Sequence, residues 1–283
     1  MSRRTSLTMA GTVIALGLLA ACSPSPQRPP GSPAPPASTA GLTALPGGAK
    51  FDYQLGGAYP PPSGTAVVVR DSTASPAAGL YNVCYVNGFQ TQPADRATWL
   101  EQRRDLVLSG ADGQPLVDGN WPDELILDTS TEAKRERLAE VVGQAIKLCA
   151  HKGFQAAEID NLDSFSRSGG ALKPEDNLAF AAQLSRIAHA SGLVIGQKNA
   201  AEFGVRGKQA GFDFAVAEEC VRFEECDSYA KVYGDLVIDI EYADNLDGDF
   251  TQMCGRPGTP KATILRDRQL VPPGGRAYVY QRC

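Results

Sequence analysis

The chain has 283 residues, 43% hydrophobic and 21% charged, and a formal net charge of −5. That length holds one large core or two small ones, and the acidic balance excludes the basic patch that nucleic-acid phosphates require. It suits a cationic ligand.

The chain begins with Arg3 and Arg4 ahead of a mostly apolar run from Leu7 to Ala21. This run is shorter than the ~20 apolar residues of a membrane span, so residues 1–21 read as a signal peptide. Leu19-Ala20-Ala21-Cys22 resembles the lipobox of bacterial lipoproteins. The resemblance implies acylation of Cys22 and an exported protein lipid-anchored to the outer face of the cell membrane. Ser2-Arg3-Arg4 leaves both the general and the twin-arginine export routes open. Loss of residues 1–21 removes two arginines and leaves 25 basic against 32 acidic residues, a net −7. Residues 22–46 are rich in Pro, Ser and Ala, with almost no large apolar side chains, and read as a disordered tether. The folded part is then expected over residues 47–283.

In the folded part, short apolar runs alternate with helical patterns, the signature of a parallel sheet wrapped by helices. Eight runs are predicted as strands: Val67–Val69 ending at Asp71, Tyr81–Val86 leading into Asn87, Leu125–Leu127 ending at Asp128, and Phe154–Ile159 ending at Asp160. Leu193–Ile195 leads to Lys198 and Asn199, Phe212–Ala217 ends at Glu218, Leu236–Ile240 at Glu241, and Ala262–Leu265 at Arg266 and Asp267. Thr129 with Glu132 predicts a capping box, and Leu138, Val142, Ile146 and Cys149 follow it at helical spacing. Pro174 opens a second helix that Gly192 stops. The 95–122 stretch reads partly as loop. This count predicts an α/β fold, a (β/α)8 TIM barrel, because nearly every run ends in a charged or amide residue, where barrels place their chemistry. An open doubly wound sheet is the rival, but no G-x-G-x-x-G or P-loop follows any strand.

Apart from Cys22, the cysteines are Cys84, Cys149, Cys220, Cys226, Cys254 and Cys283, an even number suited to an oxidising compartment. Cys220 with Cys226, and Cys254 with Cys283, are the favoured pairs; the partners of Cys84 and Cys149 stay open. No spacing matches a zinc knuckle, and His151 and His189 sit in predicted helices, so neither a metal nor another cofactor is expected. The same placement argues against a Ser-His-Asp triad.

Glu158-Ile159-Asp160-Asn161-Leu162-Asp163 is the densest polar constellation. Along a strand Glu158 and Asp160 point the same way, and carboxylates so close raise the pKa of one of them. Salt-bridged structural acids give the same pattern. Glu218-Glu219, Glu241-Tyr242 and Lys198-Asn199 close later strands, so polar groups from four strands are expected at one mouth. Glycosidic cleavage needs such carboxyl pairs.

These residues resemble the endo-α-1,4-polygalactosaminidase family, glycoside hydrolase family 114. The resemblance rests on Phe51-Asp52-Tyr53, Val83-Cys84-Tyr85-Val86, Gly153 to Asp163, Gly192 to Ala200, Phe212 to Cys220, Glu225-Cys226 and Ile240-Glu241-Tyr242, and covers the folded part. It implies a (β/α)8 barrel that hydrolyses an α-1,4-linked galactosamine polymer with Asp160 and Glu218 as the catalytic pair, Glu218 as acid and Asp160 as nucleophile or base. Asp163, Lys198, Asn199 and Glu241 match further motif positions and are implied to bind or orient substrate. Glu158, Asn161, Glu219 and the strand-end acids Asp71 and Asp128 join the expected substrate-binding set, with Tyr53, Tyr85 and Tyr242 as faces for sugar rings. The expected partner is a cationic amino-sugar polysaccharide acted on by a monomer. A non-catalytic carbohydrate-binding lipoprotein, or a glycosidase of this fold acting on another glycan, are the alternatives. Phe51 and Tyr53 stand where many relatives carry tryptophan, and Leu125–Asp128 replaces a Trp-Leu-Asp motif.

Overall fold

The computed structural model describes residues 41–283. In chain order these form β1 (Phe51–Gln54), β2 (Val67–Asp71), β3 (Tyr81–Asn87), α1 (Arg96–Gln102), α2 (Glu132–Lys152), β4 (Ala156–Asp160), α3 (Pro174–Ala190), β5 (Val194–Lys198), α4 (Val205–Gln209), β6 (Phe214–Glu218), α5 (Cys226–Tyr233), β7 (Val237–Tyr242), α6 (Phe250–Cys254), β8 (Ala262–Arg266) and β9 (Tyr280–Arg282). Strands β1 to β8 pair in sequence order and in parallel, and β9 adds antiparallel to β8. This is the (β/α)8 order, with all eight C-terminal ends at one mouth. Alternation along the strands separates two cores. Phe51, Val69, Val83, Phe214, Val216, Ile238, Ile240 and Ile264 fill the interior. Cys84, Ala157, Ile159, Ile195 and Ala215 pack outward against Leu138, Ile146, Phe180 and Leu184 of α2 and α3.

Three expectations change. Leu125–Leu127 is not a barrel strand, because β3 pairs directly with β4 through Val83 and Ala156. Those residues instead make isolated antiparallel bridges to Val117, Gln90 and Val107 within the long β3–α2 connection. Their complete burial on both faces produces the same apolar run as a central strand. The missing strand is β1, where Asp52 and Gln54 mask a fully buried segment. The helix cap also moves: Thr131, not Thr129, accepts the Lys134 N–H at the start of α2, and Thr129 donates to Asn177. The tether gives way to the folded body before Pro46, since Leu45 is buried and Tyr81 donates to the Thr43 carbonyl at 2.8 Å. The signal peptide, Cys22 and the rest of the tether lie outside the described residues.

Side chains, rather than a strand ladder, link β8 and β9 to β1. Arg266, fully buried, donates to the Tyr53 carbonyl and lies 3.5 Å from Asp52, while Tyr280 donates to the Phe51 carbonyl at 2.9 Å. These bonds satisfy edge carbonyls that water cannot reach. Arg266→Met leaves Asp52 as a buried charge without that cation, so a loss of about 3–5 kcal/mol is expected. Urea unfolding measures it, and a midpoint equal to wild type would remove this account of the closure.

Three disulfides brace the fold. Cys84–Cys149 ties β3 to α2, Cys220–Cys226 closes the loop after β6, and Cys254–Cys283 holds the chain end against α6. Such bonds belong to oxidising compartments. Among the described residues no helix is long and apolar enough to cross a membrane.

Candidate active site

On β4, Glu158 and Asp160 face the barrel axis while Ala157 and Ile159 face the helices, as the strand parity requires. One cation organises the acids. Lys198 Nζ, at the end of β5 and 2% exposed, lies 3.2 Å from Glu158 Oε1, 3.4 Å from Asp160 Oδ1 and 3.3 Å from Glu218 Oε2. Burial works against the ammonium, but Asp160 and Glu218 outweigh it and hold its pKa well above the ordinary lysine value. Asp160 Oδ1 and Glu218 Oε2 cannot be farther apart than the sum of their distances to Nζ, 6.7 Å.

Each carboxyl also has a tyrosine. Tyr53 donates to Glu158 and Tyr85 to Asp160, both at 2.6 Å, and Tyr242 donates to Glu218. Burial first, and the neighbouring carboxylates after it, push all three phenols well above their usual pKa, so they remain donors. Asn199 Nδ2 donates to Glu218 at 2.9 Å, and the Glu218 N–H returns a bond to Asn199 Oδ1 at 2.8 Å. The residue after each of the three strand ends is left-handed: Asn161 at φ 64°, Asn199 at 51° and Glu219 at 63°. This turns the chain away at once and leaves Asp160, Lys198 and Glu218 projecting into the mouth. Asn tolerates that conformation well; a glutamate there is under strain, which clusters at functional sites.

A cleft of about 440 Å³ covers this floor, lined among others by Asp71, Trp121, Glu124, Asp163 and Arg167. Arg167 donates to Asp163 at 2.8 Å and to Asn161 at 2.9 Å, and its Nε lies 2.7 Å from Asp118 Oδ2 as a charge pair. Glu124, which accepts from Asn87 at 2.9 Å, is raised to about 7 by burial, with Asp160 and Asp118 adding to the effect. A second pocket of about 310 Å³ shares Asp163, Asn199, Glu218, Tyr242 and Arg268 with the cleft.

Most of the sequence-predicted residues meet here. Asp71, Tyr85, Asp160, Asn161, Asp163, Lys198, Asn199, Glu218 and Tyr242 line the cleft, and Glu219 lines the second pocket, bonded to Arg268 and Asn245. Four line neither pocket. Tyr53 and Glu158 are fully buried beneath the floor, where they position Lys198 rather than sugar. Asp128 is held by Lys134 and Ser130 at the start of α2. Glu241 is on the outward face of β7, because its neighbours Ile240 and Tyr242 face the axis; it accepts the Val221 and Arg222 N–H groups. Arg167, Asp118, Trp121, Glu124 and Arg268 were missed. The signal for Asp118, Trp121 and Glu124 was the length of the connection after β3, while Arg167 and Arg268 follow the ends of β4 and β8, on the face where barrels carry function. His189 instead bonds Asp213 at 2.8 Å, Asp213 preceding β6 at the opposite end of the barrel. Cys220, Cys226 and Asp239 lie together, but the two sulfurs are bonded to each other and offer no thiolate to a metal.

Glu158 is raised from 4.5 to about 7, by burial first and then by Asp160, with Lys198 opposing. A carboxyl whose folded pKa is raised contributes stability below its unfolded pKa and loses it as pH rises through the folded value. Stability is therefore expected to fall from about pH 4.5 to about pH 7, with Glu158 supplying roughly 3 kcal/mol of the fall. Glu158→Gln removes that share. Thermal unfolding across this range checks it, and an unchanged pH slope in the variant would contradict it.

The sequence pattern of glycoside-hydrolase family GH114 matches residues 31–283. The chain belongs to this family. It is a glycoside hydrolase. The GH114 barrel is similar to the crystal structure of Ega3 from Aspergillus fumigatus in complex with galactosamine, at 21% identity and a TM-score of 0.65, covering 86% of this chain and 99% of that one. It is also similar to the glycoside hydrolase domain of PelA from Pseudomonas aeruginosa, at 15% identity and a TM-score of 0.54, covering 80% of this chain and 97% of that one. At these identities the likeness establishes the shared fold. Compared with curated proteins, the GH114 sequence has no match.

Proposed function

We propose that this protein is an endo-acting, retaining hydrolase of α-1,4-linked, galactosamine-containing polysaccharide, with Asp160 as nucleophile and Glu218 as general acid and base. The observation that carries this reading is the single ammonium of Lys198 between the two carboxyls. Retaining enzymes hold their carboxyls about 5–5.5 Å apart and inverting ones about 6.5–9.5 Å. The facing oxygens lie no more than 6.7 Å apart, which accommodates the retaining spacing. Asp160 accepts from Lys198, Tyr85 and the Asn161 N–H, three donors that hold its carboxyl in one orientation. Glu218 borders both pockets and so stands beside a bond that joins them.

In the first step Asp160 attacks the anomeric carbon while the Glu218 proton passes to the departing glycosidic oxygen. In the second, Glu218 takes a proton from water, whose oxygen displaces Asp160 from the glycosyl ester. Asp71, Glu124 and Asp163 line the cleft and suit the ammonium groups of a de-N-acetylated polymer. The galactosamine in the Ega3 crystal supports the same sugar class. The test is incubation with partly de-N-acetylated α-1,4-galactosaminan, following the products by NMR. Oligomers whose reducing ends first appear in the α configuration are expected. Initial β products would sink retention, and no products would sink the substrate.

The three disulfides support an exported protein, and Cys22 is its proposed lipid anchor. Metabolic labelling with palmitate is expected to mark the wild type but not Cys22→Ala.

A further inference from the structure

The loop after Glu218 combines features that the hydrolytic step does not use. Cys220 and Cys226 close it, the buried acids Asp239 and Glu241 accept its N–H groups at Cys220 and Val221, and Glu225 N–H bonds the Cys220 carbonyl at 2.8 Å. On this clamped loop Phe223 is 55% exposed. Among the described residues the only other large exposed aromatic is Trp121, at 50%. Both rings line the pockets around the catalytic carboxyls, Trp121 in the 440 Å³ cleft and Phe223 in the 310 Å³ pocket. A rigid loop that holds an apolar ring in water is preorganised for a ligand with an apolar face, which a pyranose ring has.

The two pockets differ in what they contain. The cleft has both Asp160 and Glu218, whereas the second pocket has Glu218 without Asp160. The sugar attacked by the nucleophile must lie in the first, so the sugar that leaves with the acid's proton lies in the second. Glu202 and Glu225 line this second pocket. Partial burial and the Glu202 carboxylate raise the Glu225 pKa, and Arg268, the cation lining this pocket, is paired with Glu219 and Asp244.

We propose that the pocket beyond Glu218 is the leaving-group subsite: Phe223 stacks on the amino sugar at the reducing-end side of the scissile bond, and Glu202 with Glu225 binds its ammonium. The polymer then runs with its non-reducing end toward Trp121 and its reducing end toward Phe223. This rests on the hydrolase reading above.

The experiment compares two substrates in the wild type, Phe223→Ala and Phe223→Tyr. One is α-galactosaminyl fluoride, whose leaving group is too small to fill the pocket; the other is an α-1,4-galactosamine oligomer labelled at its reducing end. In Phe223→Ala the ratio of oligomer to fluoride kcat/KM is expected to fall about ten-fold, the size of one lost stacking contact. Phe223→Tyr is expected to keep the wild-type ratio, and the labelled products of Phe223→Ala to shift in length. Glu225→Gln is expected to reduce the preference for de-N-acetylated over N-acetylated oligomer. A Phe223→Ala ratio equal to wild type overturns the subsite. A wild type that turns over the fluoride but no oligomer overturns it while leaving the catalytic pair standing. Turnover of neither substrate overturns the hydrolase reading itself.

Discussion

Asp160→Asn and Glu218→Gln are each expected to lower kcat on galactosaminan by roughly 10²–10⁴-fold while leaving the fold intact. Both replacements are isosteric, and both positions are at the cleft surface rather than in the core. The variants should differ with leaving-group quality. Loss of the acid matters most when the leaving oxygen is basic, so Glu218→Gln should retain much of its kcat/KM on α-galactosaminyl fluoride, which reports the first step alone, while its kcat falls with the lost base of the second step. Asp160→Asn should lose both substrates, because the amide cannot attack. Equal, near-wild-type kcat in either variant would remove that residue from the chemistry.

The second large effect is expected at Lys198. Its ammonium is within 3.4 Å of oxygens on Glu158, Asp160 and Glu218, and 5.6 and 5.8 Å from the ring centroids of Tyr53 and Tyr85. A point charge between two carboxyls fixes the position of both, and a misplacement of about 1 Å in such a site costs on the order of 10²-fold. In Lys198→Met kcat is therefore expected to fall by roughly 10²-fold. Stability should fall as well, by about 3–5 kcal/mol, since Glu158 is left buried beside two other acids. Lys198→Arg keeps the charge but not the compact point geometry, and should recover stability more fully than kcat. A wild-type kcat in Lys198→Met, in protein that still melts cooperatively, would show that the lysine does not position the pair.

The buried acids of β7 explain how the leaving-group loop is supported. Asp239 and Glu241 accept N–H groups from Cys220, Val221 and Arg222, and burial pushes both carboxyl pKa values up. They are fixed acceptors under the Phe223 loop, not part of the cleft. The motif position at Glu241 thus holds the loop that carries Phe223.

Much of this was legible beforehand because strand parity is strict. Glu158 and Asp160 had to share a face, and Ala157 with Ile159 had to share the other. The short loop between Cys220 and Cys226 made their pairing local, and Glu218 at the end of an apolar run was readable as a mouth residue. Parity does not say which face is the axis. In Val237–Tyr242, Ile238 and Ile240 alternate with Asp239 and Glu241, and a strand-end acid looks ready for substrate until the apolar set is seen to fill the barrel interior. Leu125–Leu127 failed for a related reason: burial on both faces erases the alternation that separates a barrel strand from a covered loop.

The sequence by itself determined the parallel α/β order and placed Asp160 and Glu218 at strand ends, because these depend on local periodicity and on residues adjacent in the chain, whereas their pairing as a proposed catalytic couple rested on the resemblance to the family. The tertiary structure decided the rest. Tyr53, Glu158, Lys198 and Glu218 come from four strands and are far apart in sequence, and no local pattern fixes the meeting of one ammonium with three carboxyls. The seam between Arg266 and β1, and the Phe223 and Trp121 rings around the carboxyl pair, depend in the same way on where the closed barrel brings distant segments together.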